Sequence, residues 1–103
     1  MIREVLQRFI SLLDEQRFYE AHEVIEEVWF DNRFLDCNEV RLQKGLINAA
    51  VSFELLKKGK ISQSKKVYKT YLKYRQLLFK IDSKNINAYY MAVRYVDNNI
   101  SHF

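Results

Sequence analysis

The residues best placed to do chemistry are His22 and Glu26, four positions apart in the stretch Phe18-Tyr19-Glu20-Ala21-His22-Glu23-Val24-Ile25-Glu26-Glu27-Val28-Trp29. At ~100° per residue, with His22 at zero, Trp29 falls at about −20°, Phe18 at about −40°, Ile25 at about −60° and Glu26 at about +40°. The core-facing stripe is therefore Phe18, Ala21, Ile25 and Trp29. His22 sits on its shoulder, with Glu26 just beyond and within side-chain reach. Glu20, Glu23 and Glu27 form the solvated face.

An imidazole beside a carboxylate at a core boundary has three uses. The pair can exchange a proton with a substrate, His22 acting as general base and Glu26 orienting it. It can take part in binding a ligand or a cation. Or it can join neighbouring helices in a buried polar network. The residue types leave all three open. The run His22-Glu23-Val24-Ile25-Glu26 also has the shape of a zincin helix motif with its second histidine replaced. Glu23 points away from the shoulder, however, and the other histidine, His102, lies at the far end of the sequence. A metalloprotease is not expected, and no pattern requires a resident metal or a cofactor.

These residues need helices to position them, and the chain supplies helices throughout. Two glycines and no proline leave few breakers. Periodicity and punctuation predict five helical segments, at about 2–13, 18–30, 38–58, 62–81 and a last one after Ser83. The first buries Val5, Leu6, Phe9, Leu12 and Leu13. Residues 31–35 break the period as a loop. Asp36 with Glu39 fits a capping box for the third helix, with Asn38 as the competing cap. That helix carries Leu42, Leu46, Ala49, Ala50, Phe53 and Leu56 inward and stops at Lys57-Lys58-Gly59, Gly59 taking the left-handed cap position. Gly45 inside it costs about 1 kcal/mol against alanine, a cost that a close helix crossing would explain.

The fourth helix is expected to start at a Ser62 cap and to bury Val67, Tyr71, Leu72, Leu78 and Phe79 in part. The fifth, capped by Asp82 or Ser83, carries Ile86, Tyr89, Tyr90, Val93 and Val96. Short connections favour antiparallel neighbours, so the expected fold is all-α, a compact bundle of about five helices built from helical hairpins. Shifting the chain by 43 residues aligns Phe18, Val24 and Trp29 with Ile61, Val67 and Leu72. That alignment suggests two similar hairpins.

At 103 residues, 49% of them hydrophobic, the chain reads as a single domain spanning 1–103 with ample core material. No apolar run approaches the ~18 residues of a membrane span. Residues 1–15 alternate apolar with charged side chains, unlike a signal peptide. The lone Cys37 is expected as a small half-buried loop residue in a reducing, cytoplasmic setting.

The net charge of +4 hides an uneven distribution. Residues 1–54 hold 6 Lys/Arg against 11 Asp/Glu, whereas residues 55–81 hold 9 Lys/Arg and no acid. On the fourth helix Lys65, Lys69 and Lys73 follow helical spacing with Lys66 beside them, and Tyr68, Tyr71 and Tyr74 interleave. Such a face can neutralise phosphates and stack on bases, although no nucleic-acid-binding motif accompanies it. It can equally be a solvated lysine face, or pair with the acidic second helix.

The Tyr19–Trp29 stretch resembles the signature of a bacterial and archaeal family known as domain of unknown function 309. Gly45-Leu46-Ile47-Asn48-Ala49-Ala50 is similar to that family's second block, and Lys58-Gly59-Lys60 to a third. The resemblance covers roughly residues 16–78. It implies a small all-helical fold and a pocket, with no established activity. The recurring positions fall on His22, Glu26, Trp29 and Gly45. Asn48 stands where glutamine is common, Phe30 where arginine is frequent, and Glu54 where histidine or tyrosine is frequent. A metal site relying on a second histidine is thereby undercut, although His22, Glu26 and Glu54 retain the chemistry to hold a cation.

The favoured function is thus a polar pocket that binds a small ligand or a protein partner. His22 and Glu26 supply polar contacts, Trp29 an apolar wall, and Asn48 and Glu54 reach in from the third helix. Catalysis at His22 and Glu26, and nucleic-acid contact through Lys65, Lys66, Lys69 and Lys73, are the alternatives. The many aromatic residues also leave room for a homo-oligomer.

Overall fold

The computed structural model describes residues 2–99; His102 lies outside them. Helices α1 (Ile2–Asp14), α2 (Phe18–Asn32), α3 (Asn38–Lys57), α4 (Ile61–Arg75) and α5 (Ile86–Asn98) follow in order, with a 3₁₀ segment, Gln76–Lys80, after α4. The expected all-α bundle is what forms, with no strand among the described residues.

Helix α3 is its centre. Its buried positions include Leu42, Gln43, Leu46, Ile47, Ala50 and Phe53, which point in several directions around the helix. A helix buried that widely has neighbours on more than one side. Helices α2 and α4 both pack on α3, while α1 packs on α2 and α5 returns alongside α1. Leu6, Phe9, Ala21, Ile25, Tyr71, Tyr89 and Val96 complete the core between them.

Local chemistry explains most of the boundaries. Gly59 has φ +78°, and the bonds Gly59 N–H to Leu56 O (3.0 Å) and Lys60 N–H to Leu55 O (2.9 Å) make a Schellman cap, as the sequence predicts. A second cap of the same form ends α1 without a glycine. Gln16 takes φ 60°, with Gln16 N–H on Leu13 O and Arg17 N–H on Leu12 O. Glutamine there carries strain of roughly 1 kcal/mol, which glycine would avoid. The predicted close crossing at Gly45 is present, because an added Cβ would stand 2.9 Å from Tyr74 Cβ.

Five expectations need correction. Asp36 and Glu39 form no capping box: Cys37, exposed rather than half-buried, occupies the cap position of α3. Asp36 instead pairs with Arg41, and Glu39 accepts a hydrogen bond from Tyr89. Neither Ser62 nor Asp82 nor Ser83 caps a helix; α4 starts after Lys60 and α5 after Asn85. The inward face of α4 is Ser64, Tyr68 and Tyr71, with Leu72 and Phe79 exposed. Small Ser64, donating to Ser52 O at 2.6 Å, lets α4 seat closely on α3, and the 3₁₀ segment then resets the period so that Leu78 turns in and Phe79 out. Ile61 and Leu72 consequently do not repeat the partly buried Phe18 and Trp29, and the proposed equivalence of two hairpins fails.

Candidate functional site

Ala21 and Ile25 are wholly buried while Glu23 and Glu27 are exposed, so α2 presents the face derived from its period. Its partner across the seam is α3, and aromatic contacts fix the antiparallel register. The Phe18 and Phe53 ring centroids are 5.7 Å apart, and Lys44 Nζ lies 4.3 Å from the centre of the Trp29 ring. That register brings Glu54 beside Phe18 and Tyr19.

His22 is largely buried, its side chain 15% exposed, with Nε2 3.7 Å from Glu26 Oε2. That separation suits an ion pair but exceeds a hydrogen bond. The Tyr19 ring meets the imidazole edge-on, with centroids 5.1 Å apart. His22 Nδ1 is shielded and has no hydrogen-bond partner among the described residues. An unsatisfied buried polar atom typically costs about 1–3 kcal/mol, so the arrangement is incomplete as a structural network.

The other predicted residues contribute unequally. Trp29 is half-buried against the core with a lysine ammonium over its ring. Asn48 donates its amide to Lys44 O at 2.8 Å, the carbonyl four residues back on its own helix. Glu54 pairs with Lys58 at 3.2 Å and lines a separate shallow cleft of about 320 Å³ with Tyr19 and Lys57. Glu26 borders another depression with Glu27, Phe30 and Asp31. Among the described residues no three His, Cys, Asp or Glu side chains gather as a cation would require, so His22, Glu26 and Glu54 do not form the cation set the sequence left open. Two neighbours were missed by sequence reasoning. Tyr19 was legible, being three residues before His22 on the same helix. Lys44 was not, since its place over Trp29 depends on the pairing of two helices.

The basic helix resolves differently. Lys65, Lys66, Lys69 and Lys73 are exposed, but the interleaved rings are not platforms for bases. Tyr68 and Tyr71 are 5% and 0% exposed, and Tyr74 packs on Gly45. Stacking recognition therefore loses its aromatic half. Nor do the lysines pair with α2: α3 separates the two helices, and no ion pair among the described residues joins them.

A second polar cluster joins α4 to α5. Tyr71 OH donates to Asp97 Oδ1 at 2.8 Å, and Arg75 Nε donates to Asp97 Oδ2 at 2.8 Å. Burial first, and then the Asp97 carboxylate, pushes the Tyr71 phenol far up, while the hydrogen bond to Asp97 raises Arg75. Here both carboxylate oxygens and the buried hydroxyl are used. A third cluster runs from Gln43 Nε2 to Tyr89 OH (2.9 Å) and on to Glu39 Oε2 (2.6 Å), with Gln43 Oε1 left over deep in the core.

In comparison with known proteins, the model of one family, described as a domain of unknown function, matches residues 6–67. No curated protein and no solved structure matches the chain. The matched span holds α2, α3 and the whole His22 seam. It ends before Tyr71, Arg75 and Asp97.

Proposed function

The chain belongs to the family described as Domain of unknown function (DUF309), and we propose that it works as a binding module whose site is the α2–α3 seam at His22. The observation that carries this is the buried, partnerless Nδ1 of His22 beside a half-exposed Glu26 carboxylate. A ligand group that hydrogen-bonds the imidazole recovers the cost of that atom, and Trp29 supplies an apolar wall along the seam. Tyr19, 56% exposed, covers the ring edge-on and is the neighbour with room to swing aside. The ligand is a small molecule, or a partner's side chain, with a polar hydrogen-bonding head on an apolar body. Of the α3 residues, Glu54 lines the neighbouring cleft with Tyr19, whereas Asn48 is turned to the Lys44 carbonyl of its own helix. The lone exposed thiol of Cys37 fits a cytoplasmic setting, and no described helix is long and apolar enough to cross a membrane.

Trp29 is the chain's single tryptophan, so its fluorescence reports the seam directly. A fragment set of small amides and carboxylates bearing an aryl or alkyl group is the appropriate probe, followed by Trp29 emission and by the imidazole ¹⁵N signal of His22. Binders should move both signals, and His22→Ala should abolish the response while the melting midpoint stays near wild type. If His22→Ala unfolds the protein, or no fragment moves the two signals together, the seam is structural.

A further inference from the structure

The end of the bundle where α2 turns into α3 is unusually apolar for a surface. Phe34 is 86% exposed, Leu35 58% and Phe30 53%. The 3₁₀ segment reaches the same end, because Asn38 Nδ2 donates to Lys80 O at 3.3 Å, and it brings Phe79, 83% exposed. Phe30 and Phe34 are held by the Arg33 guanidinium, which lies 3.6 Å and 4.4 Å from their ring centres. Exposed apolar groups clustered and held in place mark an interaction surface.

Charge says what covers it. On the α2 side this end carries Glu27 and Asp31, and on the side of α4 and the 3₁₀ segment it carries Lys73 and Lys80, all exposed. None of these four joins an ion pair among the described residues, because α3 keeps the two flanks apart within one chain. A patch with apolar rings around the Arg33 guanidinium in the middle, acidic on one flank and basic on the other, is complementary to itself under a two-fold rotation. The rotation lays each acidic flank on the partner's basic flank and stacks the apolar centres.

We propose that this end of the bundle is an isologous interface between two copies of the chain. Cys37, exposed at the start of α3 within the patch, then lies near the two-fold axis. The inference is independent of the His22 seam.

Analytical ultracentrifugation of the full chain tests it. The expected result is a monomer–dimer equilibrium that weakens with added salt and goes no further than two chains. Phe34→Asp and Phe79→Asp, both at exposed positions, should each weaken dimerisation at least about tenfold with the circular dichroism spectrum unchanged. Asp31→Lys should also weaken it, and adding Lys80→Asp to the same chain should restore it. A spin label on Cys37 should report a short label–label distance in wild type that is lost in Phe34→Asp. A monomer at every concentration, growth beyond two chains, or a dimer indifferent to Phe34 and Phe79 would each overturn the proposal.

Discussion

The α2–α3 seam and the α4–α5 junction each carry a cluster of polar side chains, and the two clusters are in opposite states of completion. At the junction, Tyr71, Asp97 and Arg75 satisfy one another. At the seam, His22 keeps one nitrogen without a partner among the described residues and holds Glu26 beyond hydrogen-bonding distance. A closed network serves stability, and removing any member costs the remainder its partners. An open one costs stability as it stands. The family match divides along the same line, covering the open seam and stopping short of the closed junction.

The largest effect that separates the two regions is alkaline. Burial raises Tyr68 to about 12, with the charge of Asp97 adding to it, and raises Tyr71 further. Burial with the Asp14 hydrogen bond raises Tyr95 to about 12, and burial with Glu39 raises Tyr89. Phenols in the unfolded chain release their protons near pH 10, earlier than in the fold, so the folded state binds more protons above that pH. Stability that is whole below about pH 10 is therefore lost as pH rises toward 12 and beyond. Circular dichroism should show cooperative unfolding in that window, with tyrosine ionisation and Trp29 emission changing together. Phenol ionisation complete before any loss of helix would show that the junction is looser than its hydrogen bonds imply.

Next in size is Asp97→Ala, which leaves the buried Tyr71 hydroxyl only its 3.3 Å bond to Val93 O and removes the carboxylate that holds Arg75. We expect a loss of about 2 kcal/mol in urea unfolding. A change of a few tenths would mean that water completes the junction as readily as Asp97 does. The smallest effect is the most telling. His22→Phe removes a polar ring that the fold leaves incompletely bonded, and stability should stay within about 0.5 kcal/mol of wild type or rise. A loss as large as that of Asp97→Ala would erase the contrast between the two regions.

Much of this was legible in the residues themselves. The face of α2 came from its period, the end of α3 from Gly59, and the close crossing from an otherwise costly Gly45. The left-handed turn at Gln16 was not legible, since no glycine marks it and the strain is carried by bonds to Leu12 and Leu13. Nor was the exposure of Leu72 and Phe79. Leu72 lies beside the Ser64, Tyr68 and Tyr71 stripe that α4 turns inward, and Phe79 is turned out where the 3₁₀ segment breaks the helical period.

By itself the sequence determined that this chain forms helices, which face of α2 goes inward, and that an imidazole and a carboxylate share its shoulder. Those properties depend on neighbours within one or two turns, and local periodicity encodes them. Tertiary structure alone decided that α3 separates the acidic and basic helices, that Tyr68 and Tyr71 of α4 are consumed by the core, and that His22 is buried without acquiring a full set of partners. Each of these depends on how whole helices are placed against one another, which is settled by the packing of every face at once.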